Sequence, residues 1–256
     1  MTFWTNKTVM ITGASSGIGK ALALEVASRG ANLGLVARRQ ELLDEIVGEV
    51  QSRGGKAIAV AADVRDVNAM QAAAERISAE LGPIDILIAN AGIGTACHIT
   101  QLDPNHMANV ININVLGAAN SVAAVVPQMI ERGHGQLVAI SSLAAYRGVA
   151  KSAAYSASKS AMSAYFESVR IDLRGTGVGV TIVYPGFIKT PLTAGRKSHM
   201  PYLMELDYAV AKIVSAIEKG KRSIAFPWQL ATVVRAGLLM PAFMYDWIAA
   251  RNSFRE

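Results

Sequence analysis

From residue 8 onwards the chain alternates short apolar runs, rich in Val, Ile and Ala, with longer stretches of helical periodicity. Strand-length and helix-length runs in strict turn predict a parallel sheet whose crossovers are helices. Strands are expected at Thr8–Thr12, Asn32–Ala37, Lys56–Ala61, Ile84–Ala89, Gln136–Ser141, Val178–Tyr184 and Ser223–Phe226. Helices are expected at Lys20–Arg29, Gln40–Ser52, Val67–Leu81, Met107–Ile130, Ala154–Leu173 and Tyr208–Lys219. The run Ile84–Ala89 is apolar almost throughout, as a strand covered on both faces must be. The expected fold is α/β: one doubly wound domain over 1–256, with a parallel sheet of about seven strands and helices on both faces. Hydrophobic residues make up 52% and charged residues 17%, enough to bury a large core and too apolar for disorder.

The turn after the first strand reads Thr12-Gly13-Ala14-Ser15-Ser16-Gly17-Ile18-Gly19 and opens a helix. Small residues here let the backbone turn tightly at Gly13 and approach a pyrophosphate at Gly17, and let helix and strand pack closely at Gly19. Helix N-termini carry unpaired N–H donors and positive dipole, so such a loop suits phosphates. The spacing is Gly-x-x-x-Gly-x-Gly rather than the commoner Gly-x-Gly-x-x-Gly.

The second strand ends in Arg38-Arg39. An acid at that point, about 20 residues beyond the glycines, marks a site for a ribose 2′-hydroxyl. Two guanidiniums instead match a 2′-phosphate, which Arg grips through two parallel hydrogen bonds. The expected cofactor is therefore NADP(H) in preference to NAD(H).

Tyr155 and Lys159 stand four residues apart near a helix start and share one face. A phenol with a pKa of about 10 is a poor proton carrier at neutrality, and ~4 kcal/mol brings it there. One positive charge ~4 Å away, at an effective dielectric of ~20, supplies about that much. Lys159, helped by an oxidised nicotinamide ring, would poise Tyr155 as a general acid–base.

With these in place the chain resembles the classical short-chain dehydrogenase/reductase family over roughly residues 7–190. The resemblance is carried by Thr12 to Gly19, Asp63-Val64, Asn90-Ala91-Gly92, Asn114, Ser141-Ser142, Tyr155 with Lys159, and Pro185-Gly186 with Thr190. It implies a Rossmann fold and hydride exchange between a carbonyl and an alcohol. It implies that Ser142, rather than Ser141, hydrogen-bonds the substrate oxygen, that Tyr155 passes the proton, and that Lys159 lowers its pKa and bonds the nicotinamide ribose. Asn114 would hold a water in a relay to Lys159. Ser15, Ser16 and Ile18 belong to the phosphate loop; Asp63 and Val64 would bind the adenine. Asn90, with Ala91 and Gly92, would hold the ribose region, and Ile188 and Thr190, after Pro185-Gly186, the nicotinamide carboxamide. One departure is visible: Ala89 stands where the family often has a first Asn. A non-catalytic dinucleotide-binding sensor is the alternative reading. A sugar-nucleotide epimerase would need a longer substrate domain.

The remaining features narrow the setting. The net charge is +6, with no dense basic stripe interleaved with aromatics, so a nucleic-acid partner is not expected. Cys97 is the single cysteine, so no internal disulfide forms, and a cytoplasmic location is expected. His98, His106, His134 and His199 share no ligand spacing, and no metal site is expected; Asp85 and Asp172 read as structural. The N-terminus has no signal-peptide pattern, and no uninterrupted apolar stretch approaches ~20 residues. Residues 191–256 should set specificity: an irregular lid over Leu192–Asp207, then a basic cluster Lys219–Arg222 and a hydrophobic run from Leu230 to Ile248. That run is expected either to wall a small hydrophobic substrate, lipid-like or 3-oxoacyl, or to let segment 219–250 touch a membrane surface. The Ala-rich, apolar face Val115–Val126 reads as a core or oligomer face, and the resemblance, in which this helix and the one after Ser158 often pair across a dimer, implies a homodimer or homotetramer.

Overall fold

A computed structural model describes residues 2–94, 97–101, 103–194 and 200–251. His199 and the part of the expected lid that includes Gly195 lie outside the described residues. Seven strands form one parallel sheet: β1 Thr8–Thr12, β2 Asn32–Ala37, β3 Lys56–Ala61, β4 Ile84–Ala89, β5 Gly135–Ile140, β6 Val178–Pro185 and β7 Ser223–Phe226. Their order is β3-β2-β1-β4-β5-β6-β7, all pairs parallel.

Helices cover both faces. On one lie α1 Gly17–Ser28, α2 Gln40–Ser52 and α7 Leu206–Glu218; on the other lie α3 Val67–Leu81, α5 Gly117–Arg132 and α6 Ala153–Asp172. Strand alternation divides the core between them. Val9, Ile11, Leu33, Leu35, Ile86 and Ile88 face the first set, while Met10, Val36, Leu87, Leu137 and Ala139 face the second. Each large apolar side chain so buried stabilises by about 1.5–3 kcal/mol.

Most boundaries agree with expectation to within three residues. The expected single helix Met107–Ile130 is three segments: α4 Pro104–Ile111, a π turn Asn112–Leu116 and α5. It starts earlier because the Asp103 carboxylate caps it, accepting from the Asn105 N–H, with Pro104 in the first turn. The π turn carries the Gly117 N–H to the Asn112 carbonyl, one residue further back than an α bond. Taken as a whole, Pro104–Arg132 is long enough, and apolar enough on average, to cross a bilayer, although Asn residues interrupt its apolar run; half of its apolar window is buried in the fold.

The first helix begins at Gly17, three residues before the expected Lys20, so the last two loop glycines are already helical. The terminal hydrophobic run is two helices, α8 Trp228–Leu239 and α9 Ala242–Arg251, broken where Pro241 removes a donor. The basic cluster Lys219–Arg222 precedes β7 and so sits at the amino edge of the sheet, away from α8 and α9 at the carboxyl edge.

Candidate active site

β1 and β4 are neighbours whose crossovers leave in opposite directions, to β2 on one side and β5 on the other. Such a divergence opens a crevice at the carboxyl edge. Here a cavity of about 720 Å3 occupies it. Every expected site residue lines this cavity except Gly19 and Asn114, which stand immediately behind the wall.

The crevice is held together by short backbone ties. The Thr12 hydroxyl accepts from the N–H groups of Asn90 and Ala91 at 3.1 and 3.2 Å. The Asn90 side-chain amide donates to the carbonyls of Thr12 and Gly13 at 3.0 and 3.2 Å. Gly13 is held at φ +65°, and a Cβ there would lie 2.7 Å from the Ala91 backbone. A Cβ on Gly19 would lie 2.4 Å from the Gly13 carbonyl oxygen, so this pair seals loop against helix.

The loop fits a dinucleotide's phosphates. The first turn of α1 carries no acidic residue, and Ser16 at its N-cap makes no side-chain capping bond, so the positive helix end faces the cavity uncompensated. Arg39 donates to the Ser15 hydroxyl at 2.9 Å, and both Arg38 and Arg39 are exposed at the cavity rim.

Asp63 is placed at the cavity, yet its carboxylate is gripped by Arg65, with Nη2 at 2.6 Å and Nε at 3.0 Å from the oxygens. The Arg65 hydrogen bonds hold its pKa below the usual carboxylate range, with the Arg38 charge adding to the effect. Val64 packs its side chain where a Cβ of Gly117 would otherwise be, and its carbonyl accepts from Asn120 at 2.9 Å.

On the opposite wall, α6 presents Tyr155 half-buried and Lys159 fully buried. Lys159 Nζ lies 5.9 Å from the centre of the Tyr155 ring and donates to the Ile140 carbonyl at 2.8 Å. Burial pushes the Lys159 amine down to about 8 from 10.5, so it still carries most of its charge at neutral pH. That positive charge on the same face of α6 favours a phenolate over a neutral phenol.

Ser142 accepts from the Ala144 N–H at 3.1 Å and lines the cavity. Ser141 is buried, its hydroxyl 2.8 Å from that of Ser163 and 3.2 Å from the Lys159 carbonyl. The Asn114 side chain pairs with both backbone groups of Ile93, accepting at 2.8 Å and donating at 2.9 Å, and also donates to the Ser158 hydroxyl at 2.9 Å. It thus joins the π turn, the β4 loop and α6. Ile188 is buried at the cavity and its carbonyl accepts from Thr193, while the Gly186 N–H is tied to the Phe226 carbonyl at 2.7 Å. Cys97 donates to the Gln101 carbonyl at 3.2 Å and does not line the cavity.

Gly94, at the site, is not among the residues expected from sequence. A Cβ on Gly94 would lie 2.4 Å from Cδ2 of Tyr155 and 3.0 Å from its Cγ. The ring therefore rests directly on this glycine, and the available signal is the second glycine of Gly92-Ile93-Gly94. Gly94→Ala is expected to shift the phenol and lower kcat by about 10- to 100-fold, with cofactor affinity retained. Steady-state kinetics beside cofactor titration checks this; a variant with unchanged kcat would show that the ring tolerates displacement.

Comparison with known proteins bears on the family. A family model described as short chain dehydrogenase matches residues 7–201. An uncharacterized oxidoreductase of Myxococcus xanthus is 43% identical over 245 residues, covering 96% of this chain and 97% of its own. The ketoacyl reductase HetN of a Nostoc species is 37% identical over 204 residues, covering 79% of this chain and 71% of its own. A metagenomic short-chain oxidoreductase solved in complex with NADP superimposes with a TM-score of 0.73 at 30% identity, over 86% of this chain and 96% of that one. Seven parallel strands, a glycine loop at the crevice, a tyrosine–lysine pair on the facing helix and a family match over most of its length lead to one conclusion: the chain is an oxidoreductase of the short chain dehydrogenase family.

Proposed function

We propose that the protein is an NADP(H)-dependent reductase, or dehydrogenase in reverse, acting on a carbonyl or alcohol of a small hydrophobic substrate. The observation that carries this reading is the buried Lys159 beside Tyr155, with Ser142 on the same cavity. When bound, the dinucleotide supplies or accepts the hydride.

The chain's own residues do the rest. Ser142 already accepts from the Ala144 N–H, so what it offers a substrate oxygen is a donated hydrogen bond. Tyr155 gives its phenolic proton to that oxygen, or takes it back in the reverse direction. Lys159 holds positive charge near the phenol and stabilises the phenolate left behind. Asn114 fixes the β4 loop against α6, which keeps Lys159 and Tyr155 aimed at the cavity. Gly13, Ser15, Ser16, Gly17 and Ile18 would hold the phosphates, Asp63 and Val64 the adenine side, Asn90 to Gly92 the ribose, and Pro185, Gly186, Ile188 and Thr190 the nicotinamide end.

Preference for NADP(H) is supported by Arg38 and Arg39 at the rim. The double variant Arg38→Ala with Arg39→Ala is expected to weaken NADPH binding by about 100-fold while NADH affinity changes by less than about threefold. Equal losses for both cofactors would remove the basis for the preference.

A hydrophobic substrate, lipid-like or 3-oxoacyl, is supported by the apolar cavity wall of Leu230, Val233 and Val234 and by the relative named as a ketoacyl reductase. Segment 191–256 acts as the specificity region. Exposed Leu116, Ile130 and Ile171, on the π turn, α5 and α6, support a homodimer or homotetramer. Any peripheral membrane contact would fall to α8 and α9, where Trp228, Leu239, Phe243 and Trp247 are exposed, rather than to the distant Lys219–Arg222. The single cysteine is the support for a cytoplasmic setting.

A further inference from the structure

Three consecutive residues downstream of Ser142 are each bonded to the C-terminal helices. Arg147 Nη1 donates to the Gly237 carbonyl and, at 3.0 Å, to the Met240 carbonyl. The Tyr245 hydroxyl donates to the Gly148 carbonyl at 2.6 Å, and its ring centre lies 3.9 Å from the Arg147 guanidinium carbon. Arg235 donates to the Tyr146 hydroxyl at 3.3 Å.

The chemistry of the clasp is that of a helix end. The last carbonyls of α8 lack the regular partners of the helix interior, the Gly237 carbonyl accepting a cap bond from the Met240 N–H at 3.3 Å, and its last turn holds no basic residue of its own. A guanidinium from elsewhere meets both needs, because it donates to those carbonyls and brings positive charge to the negative end. Only Ala231 and Gly237 of α8 are buried, and Phe243, Met244 and Trp247 of α9 are exposed. Yet Val233, Val234, Gly237 and Tyr245 line the same cavity as Ser142 and Tyr155.

We propose that Arg147 is a specificity-determining positioning residue: it fastens α8 and α9 to the Ser142 loop, so that Val233, Val234 and Tyr245 form the wall against which the alkyl chain of a carbonyl substrate lies. This rests on the reductase reading above. It commits that reading to substrates whose carbonyl sits at the end of, or within, an extended apolar chain.

The test compares wild type, Arg147→Ala and Arg147→Lys with NADPH and two aldehydes, butanal and dodecanal. Arg147→Ala is expected to raise KM for dodecanal by about tenfold or more, the loss of roughly two buried methylenes. KM for butanal and the affinity for NADPH should change by less than about threefold, within ordinary additivity. Lys restores part of the dodecanal effect, since an ammonium reaches the carbonyls but cannot stack on Tyr245. Equal losses on both aldehydes would overturn the specificity role.

Hydrogen exchange, read without turnover, tests the clasp itself. Amides of α8 and α9 should exchange faster in Arg147→Ala while those of α1 to α6 keep their rates; unchanged exchange in α8 and α9 overturns the proposal. If wild type reduces neither aldehyde, the reductase reading has failed separately, and calorimetric binding of dodecanol to the NADPH-loaded protein takes over. Weaker dodecanol binding in Arg147→Ala then supports the wall, and unchanged binding overturns it.

Discussion

Tyr155→Phe is expected to lower kcat by at least about a thousandfold while NADPH affinity stays within about threefold of wild type. The substitution removes one oxygen and leaves the ring on its glycine support, so Gly94 and the β4 loop keep their places. Two other ionisable groups on the cavity are poorly suited to replace the phenol. Asp63 is bound by Arg65 and held ionised, and Lys159 is committed to the Ile140 carbonyl. Stopped-flow or steady-state absorbance of NADPH, with fluorescence titration for binding, gives both numbers. Near-normal turnover in the variant would deprive the mechanism of its acid. Tight binding with no turnover by wild type on any carbonyl would point instead to a dinucleotide-binding sensor.

Lys159→Met is expected to act in two directions, losing activity and gaining stability. Turnover should fall by about 100-fold or more, because the positive charge that stabilises the phenolate is gone. Stability should rise at neutral pH. The folded protein holds this amine at about 8, against 10.5 for an unburied lysine. Between those values the unfolded chain binds a proton that the folded one releases, so wild-type stability climbs with pH across that window. Below the window the folded state bears the whole penalty of the buried charge, on the order of 3 kcal/mol. Methionine abolishes the penalty and forfeits one hydrogen bond, leaving a net gain of about 1–2 kcal/mol and a Tm higher by about 3–8 °C at pH 7. The gain should vanish part-way between pH 8 and 10.5 and reverse above that, where only the lost hydrogen bond remains. Thermal melts of both proteins across that range decide it: a variant less stable at pH 7 would mean that the enclosed ammonium is well compensated.

The layout of strands was legible because both faces of this sheet are covered, so each strand is an apolar run bounded by polar turns. Gly13, Arg38, Tyr155 and Lys159 were legible for a related reason: their chemistry depends on near neighbours in the chain. The π turn at Asn112–Leu116 was not, since the Asn114 amide within it is tied to Ile93 and Ser158, contacts that no local periodicity reports. Arg147 is silent in the sequence because its partners lie 90 and 93 residues further on. The grip of Arg65 on Asp63 spans only two residues, yet the motif points to the acid and not to the base beside it.

The all-parallel order of the sheet has a consequence for how this protein comes into being. No two hydrogen-bonded strands are joined by a hairpin; each neighbour is reached only after a crossover, so every pairing closes a long loop. The crevice draws its walls from the ends of six different strands, β1 to β6, and no fragment of the newly made chain possesses it. Competence to bind therefore arrives late and as a unit, once β6 has joined β5, and a ribosome-bound chain lacking its last third would carry the glycine loop without the pocket it serves.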